Sequence, residues 1–301
     1  MTSRLVIVAT RKSELALAQC RQYLKTLVQH HSQLVIKELH VVTTGDKITD
    51  RPLAEIGGKG LFLKEIEEAL LDKSADIAIH SMKDVPPDLH PGLRIGCMPK
   101  REDPRDAIVT RDGRPFMELQ KGAKLGTSSL RRAVQLKLLR PDLEVVALRG
   151  NVGTRIKKCR EGQVDATVLA VAGLNRLGIQ HEITEILSVE QCLPAVGQGT
   201  LAIELRSDDD DLLELVSVLS HSDTARVTEA ERGVMTAVEG DCKTPVAAYG
   251  RRQGDRLLLD ALLAEPDGTR LRRRSLEVSF PASSTEAHAI GLELGRALKQ
   301  G

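Results

Sequence analysis

The sequence predicts an α/β protein made of two similar lobes, followed by a smaller α+β C-terminal domain. Three observations carry this prediction. Short apolar runs alternate with helical stretches through the first part of the chain, the rhythm of a parallel or mixed sheet covered by helices. After a charged segment bearing two prolines, the same grammar repeats. From about residue 222 a long helix gives way to runs in which apolar and polar residues alternate, as in an antiparallel sheet.

Each element has its own justification. LVIVAT (5–10) reads as the first strand. SELALAQCRQYLKTLVQ reads as a helix, because its apolar residues recur every three or four positions, with Ser13 placed as N-cap. LVIKELHVV is then a second strand, LFLKEIEEALLD a helix and DIAIHS a third strand. GCMPKREDPRDAIV, with its prolines and dense charge, looks like a crossing between lobes. Beyond it come AIVT, KLGTSS leading into the helix LRRAVQLKLLR, the strand LEVVALRG, the helix VGTRIKKCREG and the strand DATVLA. TRKSELALA and TSSLRRAVQ echo one another, since in both a strand ends in Thr and Ser before a helix. LAIEL has no partner left in the second lobe, so the chain is expected to return to the first at TLAIELRSDDDDLLELVSVL. The expected boundaries are residues 1–99 with 200–219 for the first lobe, 100–199 for the second and 220–301 for the third domain. A cleft between the lobes is expected.

Composition narrows the function classes. A hydrophobic share of 41% supports real cores, but with 2% aromatics and no Trp they must be built from Leu, Val, Ile and Ala. Lys+Arg 43 against Asp+Glu 42 lacks the basic surplus of a nucleic-acid binder, so any anion site must come from local clustering. The N-terminal apolar run is too short for a signal segment, and no apolar stretch approaches membrane-spanning length. Cys20, Cys97, Cys159, Cys192 and Cys242 form no C-x-x-C pair, which points to reduced thiols in a cytoplasm. The histidines show no helix-spaced pair beside an acid, so no metal is expected.

The candidate chemistry lies where strands end. Arg11 follows the first strand, and Arg131 and Arg132 follow Thr127, Ser128 and Ser129. Arg149 closes a strand, Arg155 lies in the next first turn and Arg176 follows DATVLAVAGL. Helix N-termini offer unpaired N–H donors, and guanidinium forks beside them suit carboxylate or phosphate. Any one of these arginines alone reads as a surface or salt-bridging residue; the set at repeated positions reads as a polyanion site. Lys83 and Asp84 in HSMKDVP end a buried-looking strand, where sheet proteins place ligands, so Asp84 can serve as acid/base or steady a developing cation. By spacing alone, a turn with a surface ion pair accounts for the same residues, and His80 reads as structural. IGGKGLF lacks phosphate-loop spacing and reads either as a lid carrying Lys59 and Phe62 or as a plain flexible loop. Cys242 stands in a loop, beside Lys243 and between a helix and a strand, where a thiol can hold thiolate character; a free cysteine is the commoner case.

Ten ordered motifs spread over essentially the whole chain carry a resemblance. RKSELALAQ, TTGDKITDRPLAEIGGKGLFLKEIEEALL, DIAIHSMKDVP, REDPRDA, GTSSLRRAVQL, LRGNVGTRI, DATVLAVAGLNRL, LPAVGQGTLAIE, AERG and GDCKTPVAA together resemble the porphobilinogen deaminase family. The resemblance implies two lobes like those of periplasmic binding proteins of type II and a third domain carrying the cofactor cysteine. It implies a dipyrromethane cofactor joined by a thioether to Cys242 and held by Lys83, Asp84, Thr127, Ser128, Ser129, Arg131, Arg132, Arg149 and Gly150. It places porphobilinogen against Arg11, Ser13, Lys59, Phe62, Arg149, Arg155, Arg176 and Gln198, with Asp84 as the catalytic group and no metal. Four porphobilinogen units, each bearing an acetate and a propionate, are added with loss of ammonia before a linear tetrapyrrole is released. Two departures from the family pattern stand out: Asp241 where a small residue usually precedes the anchor, and AERGVM without the aromatic residue often found after AER. A monomer is implied, without nucleic-acid or membrane partners. The rival classes are a non-catalytic two-lobed carboxylate-binding protein and a DNA-interacting regulator; the third domain with Cys242 counts against the first, and the missing helix-turn-helix against the second.

Overall fold

A computed structural model describes residues 4–47, 63–240 and 244–300. The expected lid residues Lys59 and Phe62, and the loop containing Cys242, lie outside the described residues. The described residues divide into two compact units: 4–47, 63–101 and 200–225 fall in the first, and 102–199, 226–240 and 244–300 in the second.

The first unit is built on a five-stranded sheet. Its strands are β1 (Arg4–Arg11), β2 (Leu34–Val41), β3 (Ile77–Ser81), β4 (Leu93–Cys97) and β10 (Leu201–Arg206), in the order β2-β1-β3-β10-β4. β1 runs parallel to β2 and β3, whereas β10 is antiparallel to both β3 and β4. One face is covered by α1 (Glu14–His30), whose Cys20, Tyr23, Leu24 and Leu27 pack on Val6, Val8, Ile77 and Ile79. The opposite face takes Ile66, Ala69 and Leu70 of α2 (Lys64–Leu71) against Ala9, Ala78 and Leu93. Being covered on both faces explains why β3 reads as a nearly continuous apolar run.

The second unit repeats this order. β5 (Asp106–Thr110), β6 (Lys124–Gly126), β7 (Glu144–Val146), β8 (Ala166–Ala170) and β9 (Glu185–Ile186) form the sheet β7-β6-β8-β5-β9. β6 is parallel to β7 and β8, and β5 is antiparallel to β8 and β9. In both sheets the antiparallel strand sits second from one edge. In the first sheet it is β10, which returns after the second sheet is complete; in the second sheet it is β5, which enters first. Among the described residues the chain therefore crosses between units at 101/102, 199/200 and 225/226. α3 (Leu130–Leu139), α4 (Val152–Arg160) and α5 (Val171–Arg176) follow β6, β7 and β8. The two-residue edge strand β9 is too short to show a period, and pairing alone defines it.

Residues 246–279 form an antiparallel sheet of β11 (Val246–Gln253), β12 (Arg256–Leu263) and β13 (Arg272–Ser279), in that order. α6 (Asp210–Ser217) belongs to the first unit. α7 (Ser222–Ala237) and α8 (Ser284–Gln300) pack on the three-stranded sheet through Val227, Ala230, Val234, Ala287, Leu294 and Leu298. The architecture is thus two α/β lobes with a smaller C-terminal domain of sheet and helix.

Candidate functional site

The parallel strands bring the candidate residues to the C-terminal ends of the two sheets, where α/β folds bind ligands. In the first unit, β1 and β3 are parallel neighbours, so Arg11 and the Met82–Asp84 turn lie at the same sheet end. Ser13 caps α1, its Oγ accepting from the Ala16 amide at 3.3 Å. Gln19 reaches from α1 to donate to Ser81 Oγ at 2.9 Å, and the Met82 amide donates to Thr200 O at 2.9 Å, which fixes the start of the turn. Met82 is buried beneath it while Lys83 and Asp84 stand exposed. Below them His80 and Glu204 pair across β3 and β10 at 2.9 Å, both buried. His80 is therefore a satisfied structural residue, as its buried strand position suggests.

The second unit assembles the arginines. Ser129 caps α3 by accepting from the Arg132 amide, and Ser128 Oγ donates to Leu148 O at 3.1 Å, tying the ends of β6 and β7 together. Thr127 Oγ1 accepts from the Ser129 amide at 3.2 Å. Gly150 has φ +122°, and a Cβ there would lie 2.6 Å from Thr154 Cγ2, so only glycine fits. Its carbonyl accepts from Arg155 Nε at 2.9 Å. Arg132 and Arg149 are near enough to Arg155 to act on its charge. Burial first, and then these two cations, lower the Arg155 guanidinium to about 10. Buried Arg132 Nε and Arg149 Nη1 have no hydrogen-bond partner among the described residues. Three cations thus gather with donors left over, an arrangement that suits an anionic ligand.

The remaining two arginines are placed differently. Arg131 is turned inward, donating to Asp106 Oδ2 at 2.7 Å and to Leu193 O at 2.6 Å. Arg176 Nη2 donates to Gly199 O at 2.7 Å, and burial lowers its guanidinium to about 10. Gln198 donates to Pro104 O at 2.7 Å and to Asp106 Oδ1 at 2.8 Å. Asp106 went unassigned in the sequence, although a signal was there: it is a carboxylate opening the otherwise apolar, fully buried strand β5. Burial alone would raise its carboxyl, but Arg131 and Arg132 overturn this and hold it well below the ordinary carboxylate range.

Cys20, Cys97, Cys159 and Cys192 are buried, and burial pushes their thiols up to about 12, 11, 11 and 12. They are protonated, inert core residues at neutral pH. Among the described residues no His, Cys, Asp and Glu group could hold a metal ion, and no helix is long and apolar enough to cross a membrane.

Two family models match the chain: "Porphobilinogen deaminase, dipyromethane cofactor binding domain" over residues 6–214 and "Porphobilinogen deaminase, C-terminal domain" over residues 225–300. The chain belongs to the porphobilinogen deaminase family. Curated relatives named porphobilinogen deaminase agree over nearly full length. That of Sorangium cellulosum is 54% identical, covering 98% of each chain. That of Syntrophotalea carbinolica is 48% identical over 99% of this chain and 93% of its own, and that of Bacillus cereus 47% over 99% and 96%. Solved structures with some similarity include a periplasmic binding protein of Salmonella typhimurium with high arginine specificity, at TM-score 0.41 and 16% identity over 75% of this chain and 94% of that one. Another is a Burkholderia cenocepacia nutrient binding protein bound to methionine, at TM-score 0.41 and 12% identity over 70% and 89%.

As a porphobilinogen deaminase, the chain is a transferase of tetrapyrrole biosynthesis, a hydroxymethylbilane synthase. It joins four porphobilinogen molecules head to tail, with loss of ammonia, onto a covalently bound dipyrromethane primer, and hydrolysis then releases the linear tetrapyrrole. This disfavours the reading as a non-catalytic carboxylate-binding protein. The residues present fit the cofactor: Arg132 Nε and Arg149 Nη1 are buried donors without a partner among the described residues, and Arg155 adds positive charge beside them, a set suited to acceptor-only carboxylates.

Proposed function

We propose that Arg132, Arg149 and Arg155 hold the acetate and propionate arms of the dipyrromethane and of the growing chain. The observation that carries this reading is the gathering of three guanidiniums in which the buried Arg132 Nε and Arg149 Nη1 have no partner among the described residues. Thr127, Ser128, Ser129 and Gly150 shape the strand ends around them, and Lys83 is a further cofactor-binding residue of this reading. Arg131 contributes by packing beside Arg132 on Asp106. Arg11, Ser13, Arg176 and Gln198 complete the porphobilinogen contacts, with Lys59 and Phe62 as lid residues. Bound, the dipyrromethane supplies the nucleophilic ring carbon from which the chain grows.

Asp84 is the acid/base group. Exposed at the C-terminal end of β3, its carboxylate can accept from a pyrrole N–H, balance positive charge as ammonia leaves porphobilinogen and take up the proton released on rearomatisation. Cys242 is the thioether anchor, a role supported by its place in GDCKTPVAA and by the inertness of the four buried thiols. The domain boundaries are 1–99 with 200–219, 100–199 and 220–301, consistent with three separate sheets. The protein acts as a cytoplasmic monomer on porphobilinogen, without nucleic acid or membrane. Its near-zero net charge and the four free cysteines among the described residues support this.

Intact-protein mass spectrometry tests the anchor: purified protein carries the mass of a dipyrromethane, and Cys242→Ser removes it. Asp84→Asn keeps the adduct and porphobilinogen binding but loses turnover by about 100-fold or more, the scale of general acid–base catalysis. An unmodified, fully active protein, or an Asp84→Asn variant at native kcat, would sink the respective assignment.

A further inference from the structure

The buried carboxylate of Asp106 lies outside the ligand-facing set, yet everything around it converges on Arg132. Both Asp106 oxygens are engaged: Oδ1 by Arg132 Nη2 at 2.6 Å and Gln198 Nε2 at 2.8 Å, Oδ2 by Arg131 Nη2 at 2.7 Å. Arg132 Nη1 is fixed in turn on Val168 O at 3.0 Å. With both Nη atoms held from behind, the guanidinium plane cannot swing, and Nε is the donor left without a partner. A guanidinium offers its donors in a rigid fork, so fixing one edge aims the other.

The support behind Asp106 continues through the second unit. Gln198 is bonded to Pro104 O at 2.7 Å as well as to the carboxylate, so it ties the start and the end of the 102–199 segment together. The neighbouring Gly197 amide donates to Glu231 Oε2 at 2.7 Å, and Glu231 Oε1 accepts from the Gly250 amide at 2.8 Å. Glu231, the acid of the AERG motif, is fully buried on α7. One hydrogen-bonded path thus joins α7 and β11 to Arg132.

We infer that Asp106, held by Gln198, is a positioning residue that aims Arg132 at a carboxylate arm of the bound pyrrole chain. Its carboxylate neutralises one of the two guanidiniums and leaves the other's charge for the ligand. The inference rests on the proposed role of the arginine cluster, and the test separates the two.

The experiment is a double-mutant cycle on the holoenzyme, with porphobilinogen KM and kcat as one readout. The second readout is the rise in melting temperature between cofactor-free and cofactor-loaded protein. Asp106→Asn is expected to raise KM roughly tenfold with a smaller change in kcat, and to shrink that rise. If Asp106 acts through Arg132, the same substitution in an Arg132→Gln background changes KM by less than about twofold. Gln198→Leu, a milder change that removes one support, shows the same pattern in weaker form if Asp106→Asn fails to fold. Equal effects of Asp106→Asn with and without Arg132 would overturn the inference, as would native KM and native cofactor stabilisation in both variants. Arg149→Gln and Arg155→Gln serve as controls. If they too leave KM and cofactor stabilisation unchanged, the carboxylate reading of the cluster fails; if they raise KM and shrink cofactor stabilisation while Asp106→Asn does neither, only the positioning role fails.

Discussion

Replacing Arg155 by Gln is expected to make the cofactor-free protein more stable. A free guanidinium loses its proton only above pH ~12.5. In the fold, burial and the neighbouring Arg132 and Arg149 lower the Arg155 guanidinium to about 10. At 1.4 kcal/mol for each factor of ten, the folded protein therefore carries a penalty of about 3 kcal/mol for keeping this group charged. Gln removes that penalty and also loses the Nε bond to Gly150 O, worth about 1 kcal/mol. The net gain is about 2 kcal/mol, or roughly 5 °C in melting temperature for a unit of this size. Because the folded value is lowered for a cation, the penalty is complete at all pH values below about 10. It is relieved as pH rises further, where the unfolded chain binds more protons. Cofactor-free protein made in cells that produce no porphobilinogen can be melted at pH 7 by far-UV circular dichroism, which the absence of Trp leaves as the natural probe. The same variant loaded with cofactor is expected to lose most of the native rise in melting temperature, since stability and binding are traded at this position. A cofactor-free Arg155→Gln protein that melts at or below the parent would refute the account of like charges held ready for an anion.

Two further outcomes follow from the second unit. Gly291 on α8 faces Gly233 on α7, and a Cβ at 291 would collide with Ala230 O and Gly233 Cα; Gly291→Ala is expected to cost about 1–3 kcal/mol, read as a lower urea midpoint, and an unchanged midpoint would contradict the close crossing. Asp106 titrates below its ordinary value in the fold, so its stabilisation is complete above pH about 4 and is lost as pH falls towards the folded value; Asp106→Asn is expected to flatten the stability–pH curve in that acid range, and parallel curves would count against the ion pairs.

Much of the architecture was legible because local rules and the fold agree. The apolar spacing of α1, its Ser13 cap and the apolar run of β3 each reflect forces acting within a few residues. The return of the chain at LAIEL was legible by bookkeeping, and β10 indeed pairs with β3 and β4. The edge strand β9 was not legible, because two residues carry no period and only the partner β5 defines them. The candidate site was legible as a set of types and positions: arginines and hydroxyls after strands, an aspartate after β3. What each arginine does was not. Arg131 and Arg132 are adjacent on one helix and chemically identical, yet one is turned wholly inward while the other keeps a buried donor without a partner.

The amino-acid sequence by itself determined the family, the order of elements and the residue types gathered at the strand ends, since these rest on motif order and on periodicities of two and 3.6 residues. Only the tertiary structure decided which cations are paired and which keep a buried donor without a partner among the described residues. That depends on Asp106, Val168 O and Leu193 O, which meet the arginines from distant parts of the chain, and on burial strong enough to lower the proton affinity of Arg155. Charge compensation is a property of distances in space, and no spacing along the chain encodes it.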